Sequence, residues 1–488
     1  MDKTIMSDMF ISGQWVAASG EAMDSIDPSY GQTIWTGRSA DRSDVDKAMR
    51  AAEAAFEGWS QTPLSERIAI LKRFAEIAAS KNDELGRLIA LETGKALWDA
   101  TGEAGVVGAK AGVTLTAYEE RTGTRTLETG FGRAELVHRP HGVMAVLGPY
   151  NFPAHLPNGQ ILPALLAGNT VVFKPSELTP KTGAFLMDLY HAAGFPPGVI
   201  NLVQGSRATG EALLAHEALA GVLFVGSAPT GAAIHKQFGG RPDILLALEM
   251  GGNNPLIAWD VSDPQAAASH IVQSAFITTG QRCTCARRII LPTGKSGDAI
   301  VDAIIAATEQ IKIGAWDDDG IFMGPLISAD IAGKVAGMAK DLPGKTLKSM
   351  QRMDRGGAYL SPGIVDVTGQ SVKDEEIFAP NMQIIRVDNF DAAITRANAT
   401  KFGLSAGLIS DDHNNWDIFK SRIHAGVVNF NRPTTGASGA LPFGGPGLSG
   451  NHNPGAYYSA DFCAWPMSSQ ISAKVETVTA QGLPFKAS

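Results

Sequence analysis

The chain of 488 residues, 44% of them hydrophobic and 18% charged, is too long for one ordinary core and too apolar for disorder, so two or more globular domains are expected. A formal net charge of −8 argues against partners held by a global positive field, nucleic acid and anionic membranes among them. No apolar run approaches the roughly 20 residues a bilayer span requires, and Met1 to Trp15 lacks the basic segment and apolar stretch of a signal peptide, so a cytoplasmic location is expected.

From about Ser43 to Tyr118 the pattern predicts a helical layer. Ser43 is placed to cap the first helix, Thr62-Pro63 opens another, and Ile68, Leu71, Ala75 and Ala78 recur at helical spacing. Thr124 to His141 is polar and irregular around Leu136-Val137, which predicts a projecting hairpin arm and an oligomer. Short apolar β-rich runs then alternate with helices. Strands are predicted at Val143 to Leu147, Thr170 to Phe173, Val199 to Val203, Val222 to Val225 and Ile244 to Leu248, with helices near Leu156 to Leu166 and Thr230 to Gln237. Beyond Gly252 the alternation resumes, with a helix at about Ala266 to Thr279 and a strand at Arg288 to Leu291. This predicts α/β architecture with two parallel-sheet domains.

Ligands of open parallel sheets bind beyond the carboxyl ends of strands, so the residues after each run are informative. Lys174 and Glu177 follow one strand, where a carboxylate can hold a ribose and disfavour the extra phosphate of NADP; a surface pair at a strand end reads equally well by itself. Gly226-Ser227 opens a helix whose N-terminus suits a pyrophosphate, although a merely capped helix fits as well. Gly445 to Gly450 spells G-x-G-x-x-G, but no strand leads into it and no helix follows, so it is read as a decoy. Glu249 ends another strand before Gly251-Gly252 and is a candidate general base. Three cysteines cannot build a disulfide framework, and Cys283-Thr284-Cys285 lacks zinc-site spacing, so no metal is expected. Cys283, beside Arg282 with Arg287 and Arg288 nearby, is expected to favour the thiolate, the alternative being an inert packing residue.

Taken in order, Pro149-Tyr150-Asn151-Phe152-Pro153, Phe173-Lys174-Pro175-Ser176-Glu177, Leu248-Glu249-Met250-Gly251-Gly252, Gly280-Gln281-Arg282-Cys283, Glu375-Glu376-Ile377-Phe378 and Pro442-Phe443-Gly444-Gly445 resemble the signature of the aldehyde dehydrogenase superfamily. The resemblance implies two Rossmann-like domains and an oligomerisation arm. Residues 1–123 and 142–251 would bind the dinucleotide, 252–446 would form the catalytic domain, and 124–141 with 462–488 would make the arm and tail of a homodimer or homotetramer, with strands exchanged between subunits. It further implies NAD as cofactor, Cys283 as nucleophile, Glu249 as base and Asn151 as oxyanion donor. Lys174, Glu177, Gly226 and Ser227 would hold the adenosine and pyrophosphate, and Glu376 and Phe378 the nicotinamide half. Asn253 and Ala379 depart from the common pattern, which has a lysine and a glycine there.

Other strings, among them Asn151 to Gly159, Gln281 to Arg288, Ser449 to His452 and Cys463-Ala464-Trp465-Pro466, resemble the branch that oxidises N-succinylglutamate 5-semialdehyde in arginine catabolism. An anionic aldehyde needs fixed cations, and Arg282 is the candidate, with His155 and Thr435 in the same funnel; pairing of Arg282, Arg287 or Arg288 with the chain's own acids is the competing reading. The alternatives are another anionic semialdehyde, a CoA-acylating dehydrogenase, a thioester-forming hydrolase without redox chemistry, or an inactive binding protein on the same scaffold.

Overall fold

The computed structural model describes residues 8–130, 132–355 and 357–485; residues 1–7 and 486–488, at the ends of the expected first domain and tail, lie outside the described residues. Its first sheet runs, edge to edge, through Leu245–Met250, Leu219–Gly226, Val143–Leu147, Thr170–Lys174, Ile200–Leu202, Met9–Ile11 and Gln14–Val16. The five strands from Val143 to Met250 are mutually parallel; Met9–Ile11 adds antiparallel to Ile200–Leu202, and Gln14–Val16 adds antiparallel to Met9–Ile11. Val143–Leu147 is buried at every position because both faces are covered. Met144 and Val146 pack into one core with Leu71, Phe74 and Ile161, while Val143, Ala145 and Leu147 join Val45, Ala48 and Met49 of the Arg42–Gln61 helix on the other. This is the period of two that sends successive side chains to opposite faces, and it explains an unbroken apolar run in sequence.

Strand order reverses between Val143–Leu147 and Leu219–Gly226, since the chain builds outward on one side and then returns to the other. The loops leaving these two strands, which carry Asn151 and Gly226-Ser227, therefore diverge and leave a crevice.

A second seven-stranded sheet follows: Lys345–Lys348, Gly363–Asp366, Asn381–Val387, Ala286–Pro292, Asn254–Ala258, Ser405–Ile409 and Val427–Phe430, all parallel except the first. Only Gly251, Gly252 and Asn253 separate the last strand of the first sheet from the first strand of the second. The carboxyl edge of one sheet thus abuts the amino edge of the other.

Three expectations change. The Arg42–Gln61 helix is capped not by Ser43 but by Asp41, whose carboxylate accepts the N–H groups of Ser43 and Asp44 in a capping box. The helix expected to reach Thr279 stops at Phe276, because Thr278 and Thr279 enter left-handed backbone, at φ 55° and 56°. Leu219–Gly226 is longer than its four-residue prediction, since Leu219, Gly221 and Gly226 also pair in the sheet although the two glycines interrupt the β-rich run. The arm exists, as Arg125–Thr129 and Gly132–Pro140, and Ala464–Ile471 pairs antiparallel with Gly132–Pro140 to make it three-stranded. The Gly445 to Gly450 string forms a short turn beside Glu249, with Gly450 bridging to it, and Asn451 accepts the Leu248 N–H at 2.9 Å. No helix among the described residues is long and apolar enough to cross a membrane.

Candidate active site

Cys283 lies at the amino edge of the second sheet, three residues before Ala286–Pro292, and Glu249 lies at the carboxyl edge of the first, paired with Val225. The two side chains face each other closely enough for each to shift the other's proton affinity. Burial, opposed by Cys283 and reinforced by Glu376, pushes the Glu249 carboxyl up to about 8, and its Oε1 has no hydrogen-bond partner among the described residues. Burial, Glu249 and Glu376 push the Cys283 thiol well above its usual range, while the thiol itself is partly open to a cavity of about 640 Å³.

The arginines near Cys283 in sequence therefore do not favour its thiolate, contrary to expectation. Arg282 turns to Asp99 (2.6 Å) and Thr278 (2.8 Å), and Arg287 to Glu376 (3.5 Å) and the carbonyls of Ala379 and Arg282. Arg288 donates to the carbonyls of Asn253, Arg396 and Ala397. Neighbours along an extended segment point to different sides, so adjacency in sequence put no cation at the sulfur.

The turn before Cys283 is strained and firmly tied. A β-branched residue at positive φ is uncommon, and two in succession at Thr278 and Thr279 cost of order 1–3 kcal/mol each. Thr278 donates to Asp99 (2.5 Å), Thr279 donates to the Gly324 carbonyl (2.8 Å), and a Cβ on Gly280 would fall 2.1 Å from the Ala379 carbonyl oxygen. Asn254 completes the clamp, donating to the carbonyls of Cys283 (2.7 Å) and Cys285 (2.9 Å) while accepting the Ser405 N–H (3.0 Å). Cys285 is fully buried, as a packing residue would be.

Asn151 arrives from the loop after Val143–Leu147, and its Nδ2 donates to the Gln281 carbonyl at 3.0 Å, two residues before Cys283. The Cys283 N–H has no partner among the described residues. Thiol, carboxyl, carboxamide and free N–H are thus gathered at one place, a set able to add sulfur to a carbonyl, stabilise an oxyanion and activate water. His155 and Thr435 line the same cavity. The His155 imidazole is pushed down to about 3 by burial and by Lys110 and Lys95, so it is neutral and offers no charge to an anion.

The residues expected to hold a dinucleotide lie along the switch-point edge. Lys174 donates to the carbonyls of Pro175 (2.9 Å) and Gly205 (2.7 Å) and lies 3.8 Å from the half-exposed Glu177. Ser227 caps the helix Ala228–Gln237 directly after Gly226, and both its hydroxyl and that of Thr230 are exposed. Glu376 is buried over Gly251, and Phe378 packs edge-on against Tyr150 with centroids 6.2 Å apart. A carboxylate for a ribose, an open helix N-terminus and an aromatic wall fit such a ligand. Asn253 finds a use as well: it donates to Asp374 (2.9 Å), which tethers the segment carrying Glu376 and Phe378.

Sequence reasoning missed Asp99, Glu103, Lys110 and Asn254. The first three share the buried face of the helix Leu97–Ala117, and Glu103 pairs with buried Lys95 (2.6 Å) while accepting the N–H groups of Ala154 and His155. A readable signal existed, because charged residues at positions 99, 103 and 110 repeat at helical spacing among alanines and valines.

Residues 15–465 match the model of the aldehyde dehydrogenase family. N-succinylglutamate 5-semialdehyde dehydrogenase of Caulobacter sp. (strain K31) is 52% identical over 463 residues, 94% of this chain and 96% of that protein. The protein of that name from Chromobacterium violaceum is 50% identical over 468 residues, 95% and 96% of the two chains. A 1-pyrroline-5-carboxylate dehydrogenase from Thermus with bound NAD has the same fold, with a TM-score of 0.89 at 28% identity, covering 94% of this chain and 92% of that one. For methylmalonate-semialdehyde dehydrogenase from Oceanimonas doudoroffii the TM-score is 0.90 at 25% identity, over 96% and 98%. With the match spanning both sheets and the whole Cys283–Glu249 junction, the chain belongs to the aldehyde dehydrogenase family.

Proposed function

We propose that this protein oxidises N-succinylglutamate 5-semialdehyde to N-succinylglutamate with NAD, and that Cys283, Glu249 and Asn151 perform the reaction. The observation that carries the reading is the placing of Cys283 and Glu249 together in the wall of one roomy cavity, with the Asn151 carboxamide bonded two residues before the thiol. The choice of aldehyde rests on relatives of that name at about half identity over nearly the whole chain.

Cys283 loses its proton to Glu249 and its sulfur bonds to the aldehyde carbon. The oxyanion so formed is held by the Asn151 amide and the Cys283 N–H. When bound, the dinucleotide supplies the hydride acceptor. Cys283 then carries the acyl group as a thioester. Glu249, having released the thiol proton to solvent, takes a proton from the water that attacks it and returns it to the departing sulfur, which restores the thiol and releases the carboxylate with a second proton. Lys174, Glu177, Gly226 and Ser227 bind the adenosine and pyrophosphate, and Glu376 and Phe378 orient the nicotinamide half. The Glu177 carboxylate at the ribose favours NAD over NADP by repelling an added phosphate. The enzyme works in the cytoplasm as a homodimer or homotetramer built through the arm, residues 252–446 forming the catalytic domain.

The test is a panel of aldehydes bearing no, one or two carboxylates, each with NAD and with NADP, scored by nicotinamide absorbance. Highest kcat/KM for the N-succinylated dicarboxylate with NAD is expected. Equal or better turnover of the uncharged aldehydes would remove the substrate assignment.

A further inference from the structure

Among the described residues six cationic side chains are buried: Arg67, Lys95, Lys110, Lys174, Arg287 and Arg288. Five have carboxylate or carbonyl partners. Lys110 has neither a hydrogen bond nor an ion pair, although it is only 6% exposed and lines the cavity that Cys283 opens into. A buried ammonium without a counter-ion is costly unless something arrives to pair with it.

The surroundings of Lys110 are arranged to keep it free. The carboxylates nearest in the cavity wall are turned elsewhere, Glu103 to Lys95 and two backbone N–H groups, and Glu249 to Cys283. Arg282, the other cation lining the cavity, is neutralised by Asp99, and His155 is uncharged. Gly159 gives the lysine stem its space: a Cβ there would lie 3.0 Å from Cε and 3.5 Å from Nζ. From the loop, a Cβ on Gly439 would come to 3.8 Å from Nζ, so glycines of a helix and of a loop both lie beside the ammonium.

We propose that Lys110, and not Arg282, is the residue that selects aldehydes carrying a carboxylate, by placing its ammonium against that carboxylate within the cavity. This rests on the anionic-substrate reading above and names the group that enforces it. Burial alone pushes the ammonium down to about 8, so it remains largely protonated at neutral pH, and an arriving carboxylate strengthens that charge. Lysine acts here as a point charge on a flexible stem, suited to a carboxylate approaching along a funnel.

The test compares the full-length wild-type protein with Lys110→Met and Lys110→Arg, using N-succinylglutamate 5-semialdehyde and an uncharged aliphatic aldehyde of similar length. Loss of one charge-assisted contact predicts a KM about 10- to 100-fold higher for the carboxylated aldehyde in Lys110→Met, with kcat near wild type. The uncharged aldehyde keeps its kcat/KM, and Lys110→Arg recovers most of the carboxylate preference. N-succinylglutamate should raise the thermal midpoint of the wild type and of Lys110→Arg, and not that of Lys110→Met, a reading independent of turnover. Equal losses on both aldehydes, an unchanged KM for the carboxylated one, or undiminished protection by the product would overturn the proposal. A wild type indifferent to carboxylates removes the substrate reading along with it; a wild-type preference that survives in Lys110→Met removes the assignment of Lys110 alone.

Discussion

Glu249 and Cys283 meet from two different sheets, a carboxyl at the carboxyl edge of one facing a thiol at the amino edge of the other. Both are pushed above their usual pKa, chiefly by burial, which favours the protonated form of each.

Activity should therefore rise with pH through about 8, where Glu249 becomes able to accept the thiol proton. Stability should move the opposite way. Because the folded pKa lies above the ordinary carboxyl value of 4.5, the folded state holds the Glu249 proton more tightly; this contribution is complete below 4.5 and is lost as pH rises through about 8. Profiles of kcat/KM and of thermal midpoint against pH check both signs. Glu249→Gln should flatten the second. A kcat/KM that is already maximal at pH 6 contradicts the shared-proton arrangement.

Glu249→Gln should also arrest the reaction after hydride transfer. One equivalent of reduced dinucleotide per subunit, followed by an acyl adduct on Cys283 in the intact mass, is the expected result, whereas Cys283→Ala should bind dinucleotide and form neither. Continued full turnover by Glu249→Gln assigns the base elsewhere.

Asn151→Ala removes the side-chain half of the oxyanion site and should lower kcat by about 100- to 1000-fold, with little change in dinucleotide affinity. The carboxamide is tied only to the Gln281 carbonyl, so the fold should persist. A decrease of less than tenfold would argue that the Cys283 N–H suffices.

Asp99→Ala leaves the Arg282 guanidinium and the Thr278 hydroxyl without their shared acceptor. Stranding a partly buried cation costs about 2–5 kcal/mol, which denaturant unfolding will show as a lower midpoint. The strained turn that positions Cys283 should loosen with it, slowing alkylation of the thiol in the folded enzyme. An unchanged midpoint would mean that the turn is held by Thr279 and Gly280 alone.

Much of the fold was legible. Strands such as Val143–Leu147 and Thr170–Lys174 are buried at every position because both faces are covered, and that leaves an apolar run at the centre of each in sequence. The end of the helix at Phe276 was not legible, since nothing local makes Thr278 and Thr279 left-handed; Asp99, Gly324 and Ala379, all distant in sequence, hold them there. The residues Cys283, Glu249 and Asn151 were legible as candidates because each sits where a chain segment ends, a place from which a reactive group can be presented.

The sequence by itself determined which groups are available: a thiol, a carboxyl, a carboxamide, and strand ends able to accept a dinucleotide. Tertiary structure decided which charges those groups meet. It turned Arg282, Arg287 and Arg288 away from the sulfur, delivered Glu249 and Glu376 in their place, and left Lys110 as the unpaired cation of the cavity. The physical reason is that composition and spacing set what a segment can form, whereas burial and pairing depend on segments brought together only by packing.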